Sequence, residues 1–192
     1  MKKLTRYAAA LCVLCLSGMP ALDAQETNNA GLRPILNHYA ARNFIAGAIP
    51  KADLDLIVQA GVRAPSAGNR QPWQFTVVQS QNLAKQIISN ITEGNVLIVI
   101  SASGDGKTNG SQILDCALAT ESIYLAAQAL GYGSRIYTGP MDAVNRDLKS
   151  SLGLPGGYSA VAMVRVGRIQ AGVDAVSAAS ARKGANSVVN YK

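Results

Sequence analysis

The chain has 192 residues, 48% of them apolar and 15% charged, with a formal net charge of +7. Those values exclude a disordered polymer and leave room for one domain with a real hydrophobic core. No apolar run is long enough for a transmembrane helix in the mature chain.

The N-terminus reads as a secretory signal peptide, residues 1–24. "MKKLTRY" is a basic leader, "AAALCVLCLSGM" an apolar stretch, and Ala24 a small residue before the cut. "LSGM" has the shape of a lipoprotein cleavage box, but Met19 stands where the lipidated cysteine would be, so no membrane anchor is expected after cleavage. The expected location is outside the cytoplasm, in the periplasm. Cleavage removes Lys2, Lys3, Arg6 and Asp23, three cations and one anion, which takes +7 to +5. Cys12 and Cys15 leave too, so Cys116 remains alone and no intrachain disulfide can form. Its setting, "LDCALA", is that of a small buried apolar residue. The remaining Lys and Arg are scattered without interleaved aromatics. That points away from nucleic acid and leaves an anionic small ligand open.

Residues 25–192 read as a single α+β domain. "LRPILNHYAARNF" suggests a first helix interrupted near its end. In "IPKADLDLIVQAGVRA", Leu54, Ile57, Val58, Gly61 and Val62 form one helical face, and Pro65 ends the helix. "WQFTVV" alternates as a strand, with Trp73, Phe75 and Val77 on one side. "QNLAKQIISNI" is a short amphipathic helix, and "NVLIVIS" an unbroken β-branched run expected at the centre of a sheet. "SQILDCALATESIYLAAQAL" is a long Ala-rich helix, with Ser111 as N-cap and Gly131 as stop. "SRIYTG" is a short strand, and "DAVNRDLKSSL" a helix closed by Gly153. "SAVAMVRVG" is the last good strand, and "SVVNYK" closes the tail with a small strand-like run.

Several chemistries are poorly supplied. One histidine and one mature cysteine cannot form an N/S zinc site, so no metal is expected. There is no G-x-S-x-G elbow, and a serine triad could use only His38 as its base. "SARK", Ser180 to Lys183, matches S-x-x-K only formally. "SASGDGKT", Ser101 to Thr108, resembles a phosphate-binding loop, but Ser101 replaces its first glycine. It stays open as a third reading. "RAPSAGNRQPWQF" is the most informative stretch. Ser, Gly, Asn and Gln crowd one corner, which suits either a plain turn or a site for a flat ligand with polar edges.

"APSAGNRQPWQF", followed by "DCALATESIYLAAQALGYGS", "YTG", "LPGGYSAVAMVRVGR" and a late arginine, resembles the nitroreductase family of flavin-dependent oxidoreductases. The similarity runs from about Leu32 to Tyr191. It implies a three-layer sandwich, with a central, mainly antiparallel sheet between helices, and an intertwined homodimer binding FMN between its subunits. On that resemblance Pro65, Ser66, Ala67, Asn69 and Gln71 lie against the flavin ring, and Thr138 and Gly139 form a turn near its N5. Arg182 reaches the phosphate, and the stretch containing His38, Tyr39, Ala40 and Arg42 corresponds to the family's N-terminal cofactor anchor. That anchor departs from the family pattern, R-R-S-x-R/K-x-F/Y: Arg42 and Phe44 are kept, but His38 replaces an arginine and Ala40 a serine. A hydrogen bond to a charged group contributes roughly 1.5–3 kcal/mol, so full loss of one weakens binding about tenfold to a hundredfold. Protonated His38 would restore part of it. The implied function is FMN-dependent transfer of electrons from NAD(P)H, or another donor, to a nitroaromatic, quinone or similar acceptor. The chemistry resides in the cofactor, so no protein catalytic residue is expected. The rival reading is a non-catalytic flavin- or small-ligand-binding protein on the same scaffold.

Overall fold

A computed structural model describes residues 29–104, 110–173 and 178–192. The expected signal peptide and the glycine-lysine half of "SASGDGKT" lie outside these residues. The elements are α1 (Arg33–Leu36), α2 (Lys51–Val62), β1 (Trp73–Val78), α3 (Gln81–Ile87), β2 (Val96–Ser103), α4 (Gly110–Ala129), β3 (Gly133–Tyr137), α5 (Met141–Ala143) and β4 (Tyr158–Gly167). A π-helical turn, Val144–Leu148, prolongs α5.

The β-branched run of β2 is buried on both faces and sits inside a four-stranded sheet ordered β1-β2-β4-β3, with every pairing antiparallel. Alternation along the strand divides the core. Val96, Ile98 and Ile100 join Leu54 and Ile57 of α2 and Cys116, Ile123 and Ala127 of α4. Leu97 and Val99 join Ala84 of α3, Met141 of α5 and Leu152. Helices therefore cover both faces, giving three layers. A β-bulge opposite Ile100 and Ser101 leaves Val161 as the extra residue of β4.

Most expected elements form, with four corrections. The first helix stops after one turn, because the segment after it is tied to β3, β4 and α4. Gln128 clamps Tyr39 at both N–H (3.1 Å) and C=O (2.8 Å), the Ala41 N–H donates to the Ser134 carbonyl (2.9 Å), and that of Ile45 to Arg168 (2.9 Å). Amides committed to these partners cannot continue a helical ladder. Ser111 lies inside α4, already begun at Gly110, and so is not its N-cap. Val62 and Val77 are exposed at the rims of their elements. The tail carries a 3₁₀ turn, Ala185–Ser187, and adds no strand to the sheet of β1, β2, β4 and β3. Gly131 does stop α4, at φ +83°, with its N–H on the Gln128 carbonyl.

The arm after α1 is held by a buried cation. Arg165 is 5% exposed and donates to Asn95 Oδ1 (2.8 Å) and Thr92 Oγ1 (2.9 Å), while its guanidinium lies 4.1 Å from the centre of the Phe44 ring. Burial lowers its pKa. Phe44 thus serves as a packing anchor for the arm.

Candidate functional site

The corner Pro65–Gln71 joins α2 to β1 and contains a short 3₁₀ turn, Ala67–Asn69. Gly68, Asn69 and Gln71 all have left-handed backbones, at φ +60°, +55° and +47°. Only the first is a glycine, so Asn69 and Gln71 hold conformations costing on the order of 1 kcal/mol or more each, a pattern concentrated at functional loops. Local bonds maintain them. The Gln71 N–H donates to Ser66 Oγ (3.1 Å), and Gln71 Nε2 donates to Asn69 Oδ1 (3.1 Å) and the Asn69 carbonyl (3.3 Å). With those bonds made, the Asn69 amide nitrogen and Gln71 Oε1 remain as a donor and an acceptor on an exposed edge.

Helix α4 holds the loop from below. Asp115, 3% exposed, accepts the Ala67 N–H at Oδ1 (2.9 Å), and one turn earlier Ser111 Oγ accepts from Arg70 Nη2 (2.9 Å). Ser111 and Asp115 are four residues apart and share a helix face.

A second group forms farther along α4. His38 Nδ1 lies 3.2 Å from the Tyr124 hydroxyl, with the two rings edge to face at 5.4 Å. Burial raises the Tyr124 pKa; a hydrogen bond from Gln128 and the charge of Arg182 act in the lowering direction, while Glu121 and Tyr39 add to the rise. The Arg182 charge thus lies within electrostatic range of Tyr124, the tyrosine that His38 bonds. Its Nη1 donates to the Ser180 carbonyl (2.7 Å). Ala40 and Arg42 are exposed beside this group, and Tyr39 is buried.

Thr138 and Gly139 lie in an exposed turn after β3, closed by the Met141 N–H on the Thr138 carbonyl (3.1 Å). The register puts this turn at the same end of the sheet as the Pro65–Gln71 loop but at the opposite edge. Three strand spacings, about 14 Å, lie between the two edges. The expected residues thus fall into two sets within one chain. His38, Tyr39, Ala40, Arg42, Thr138, Gly139 and Arg182 belong to the β3 side, and Pro65, Ser66, Ala67, Asn69 and Gln71 to the β1 side. Asp115, Tyr124 and Gln128 escaped the sequence reading. The one available signal was an aspartate set in the apolar run "ILDCALA".

The nitroreductase family model matches residues 35–96 and 89–168. The chain belongs to the nitroreductase family. A curated Archaeoglobus fulgidus protein, named "Putative NADH dehydrogenase/NAD(P)H nitroreductase", is 33% identical over 146 residues, spanning 71% of this chain and 83% of the relative. A nitroreductase structure with bound FMN from Desulfitobacterium hafniense superposes with a TM-score of 0.72 at 20% identity, over 86% of this chain and 100% of the other. An FMN-dependent nitroreductase from Clostridium difficile gives 0.64 at 24%, over 86% and 97%. At those identities the structural likeness establishes the nitroreductase fold. In "SASGDGKT", Ser101 is fully buried inside β2 with strands on both sides, while Asp105–Thr108 lie outside the described residues.

Proposed function

We propose that this nitroreductase-family chain is an FMN-dependent oxidoreductase, working as a homodimer, with the flavin between the β1-side loop of one protomer and the β3-side group of its partner. The carrying observation is the strained Ser66–Gln71 loop, whose exposed Asn69 and Gln71, bonded to each other, keep a side-chain donor and acceptor uncommitted. A flavin ring offers the complement, carbonyl acceptors and an N3 donor. Bound there, FMN would supply reversible two-electron transfer. The protein's part is to orient the ring, with Asn69, Gln71 and exposed loop backbone along its edge and the Thr138–Gly139 turn facing N5. Arg182, Arg42 and His38 supply positive charge and donors for the phosphate dianion, where the arginine fork is well matched.

The two-edge arrangement supports a dimer: about 14 Å, three strand spacings, separates the two sets, so each ring would be flanked by one set from each protomer. Exposed apolar side chains support it: Ile113, Leu114 and Leu118 on α4, and Val188, Val189 and Tyr191 in the tail. NAD(P)H is the proposed donor and a nitroaromatic or quinone the acceptor. The basic and apolar leader favours export, and a different donor would serve outside the cytoplasm.

The deciding experiment is a visible absorption spectrum of the purified protein with and without added FMN. Oxidised-flavin bands that survive desalting and bleach with NAD(P)H or dithionite are the expected result. A protein that stays colourless in excess FMN would end the flavin reading.

A further inference from the structure

Asp115 is a poor choice for stability alone. It is a carboxylate at 3% exposure, and its Oδ2 is buried without a hydrogen-bond partner among the described residues. The ion pairs there, Lys51–Asp55 and Arg146–Asp147, do not include it. Buried charges without a cation are costly, and an apolar residue would pack this Ala-rich helix better. What the carboxylate does achieve is specific: Oδ1 takes the Ala67 N–H, the first amide of the turn that leads into the left-handed residues Gly68, Asn69 and Gln71. Local bonds within the loop fix its own curvature, but Asp115 and Ser111 fix its place on the protein.

We infer that Asp115 is a positioning residue of the flavin site: its carboxylate anchors the Ala67 amide and so presets the Ser66–Gln71 loop before the ligand arrives. The flavin role rests on the reading above, whereas the anchoring itself does not. A loop ordered in advance spares the complex the entropy of ordering it. The bond can be removed from either end. D115A removes the acceptor, A67P removes the donor at an exposed position whose preceding residue is already extended (Ser66 φ −143°, ψ 151°), and D115N keeps an oxygen in place without the charge.

The test has two readouts on the full chain. The first is amide exchange followed by NMR in the free protein. The Ala67 N–H is expected to exchange much more slowly than the exposed Gly68 N–H in the wild type, to lose that protection in D115A and to retain most of it in D115N. Equal wild-type rates for Ala67 and Gly68, or protection unchanged in D115A, overturn the inference. The second is FMN affinity by fluorescence titration. D115A and A67P are each expected to weaken it about tenfold or more, D115N by less than about threefold, and the double mutant no further than either single. Losses that add in the double mutant, or D115N as weak as D115A, overturn it. If D115A fails to fold, A67P decides, because unchanged affinity there overturns it as well. A wild type that ignores FMN sinks the flavin reading, and the exchange comparison still decides whether Asp115 anchors the loop.

Discussion

Cys116 shows how a neighbour sets the chemistry of a residue. Its thiol is fully buried, and its pKa rises from an ordinary value of about 9 to about 11, first through burial and then through the adjacent Asp115 charge. The thiolate is the reactive form, so folded protein at pH 7.5 is expected to resist iodoacetamide and to react fully once denatured. Mass spectrometry of intact protein, with and without urea, checks this. The same shift makes stability depend on pH. The unfolded thiol ionises from about pH 9 and the folded one only near 11, so stability present below pH 9 is lost as pH rises through that window. The loss amounts to roughly 2–3 kcal/mol at most. Urea melts at pH 8 and pH 10.5 should differ less for C116A than for wild type; an equal difference would refute the coupling.

At the scale of elements, the contact between α2 and α4 depends on a missing side chain. A Cβ on Gly61 would lie 2.7 Å from both Cγ1 and Cδ1 of Ile123 and 3.2 Å from Phe75 Cζ. Ile123 is itself fully buried, so it has little room to yield. Gly61→Val should therefore destabilise the protein by about 2–3 kcal/mol, outweighing the roughly 0.5 kcal/mol a helix gains when glycine is replaced by valine. Chemical denaturation measures it, and a variant as stable as wild type would mean that the helices separate freely. The prediction matters for function because α2 delivers the Pro65–Gln71 loop and α4 carries Asp115, its anchor. Pushing the helices apart should loosen the loop too.

For the whole molecule, the question is whether one chain is a complete unit. The proposed site has its two sets of residues at opposite edges of a four-stranded sheet, and the tail 178–192 is largely exposed. Sedimentation at micromolar concentration is expected to show a dimer. Bound flavin should be lost when dilution yields monomers, since each protomer then holds only half of each site. A monomer that keeps its flavin would require both sets to act within one chain, against the geometry found.

The chain by itself determined the order and type of nearly every element. Hydrophobic period and glycine or proline punctuation are local properties: β2 reads as buried from the seven residues "NVLIVIS", and α4 as helix from its alanines and its stop at Gly131. From its own residues the Pro65–Gln71 corner reads as either a turn or a ligand site, and only the family resemblance favours the site. Tertiary structure decided the rest, because the physical causes lie far apart in sequence. His38 to Ala41 forgo a helix through bonds to Gln128 and Ser134, about ninety positions away. His38 bonds Tyr124 across 86 positions, and Asp115 reaches Ala67 across 48. A carboxylate's role depends on which amide the fold brings to it, and no local pattern encodes that.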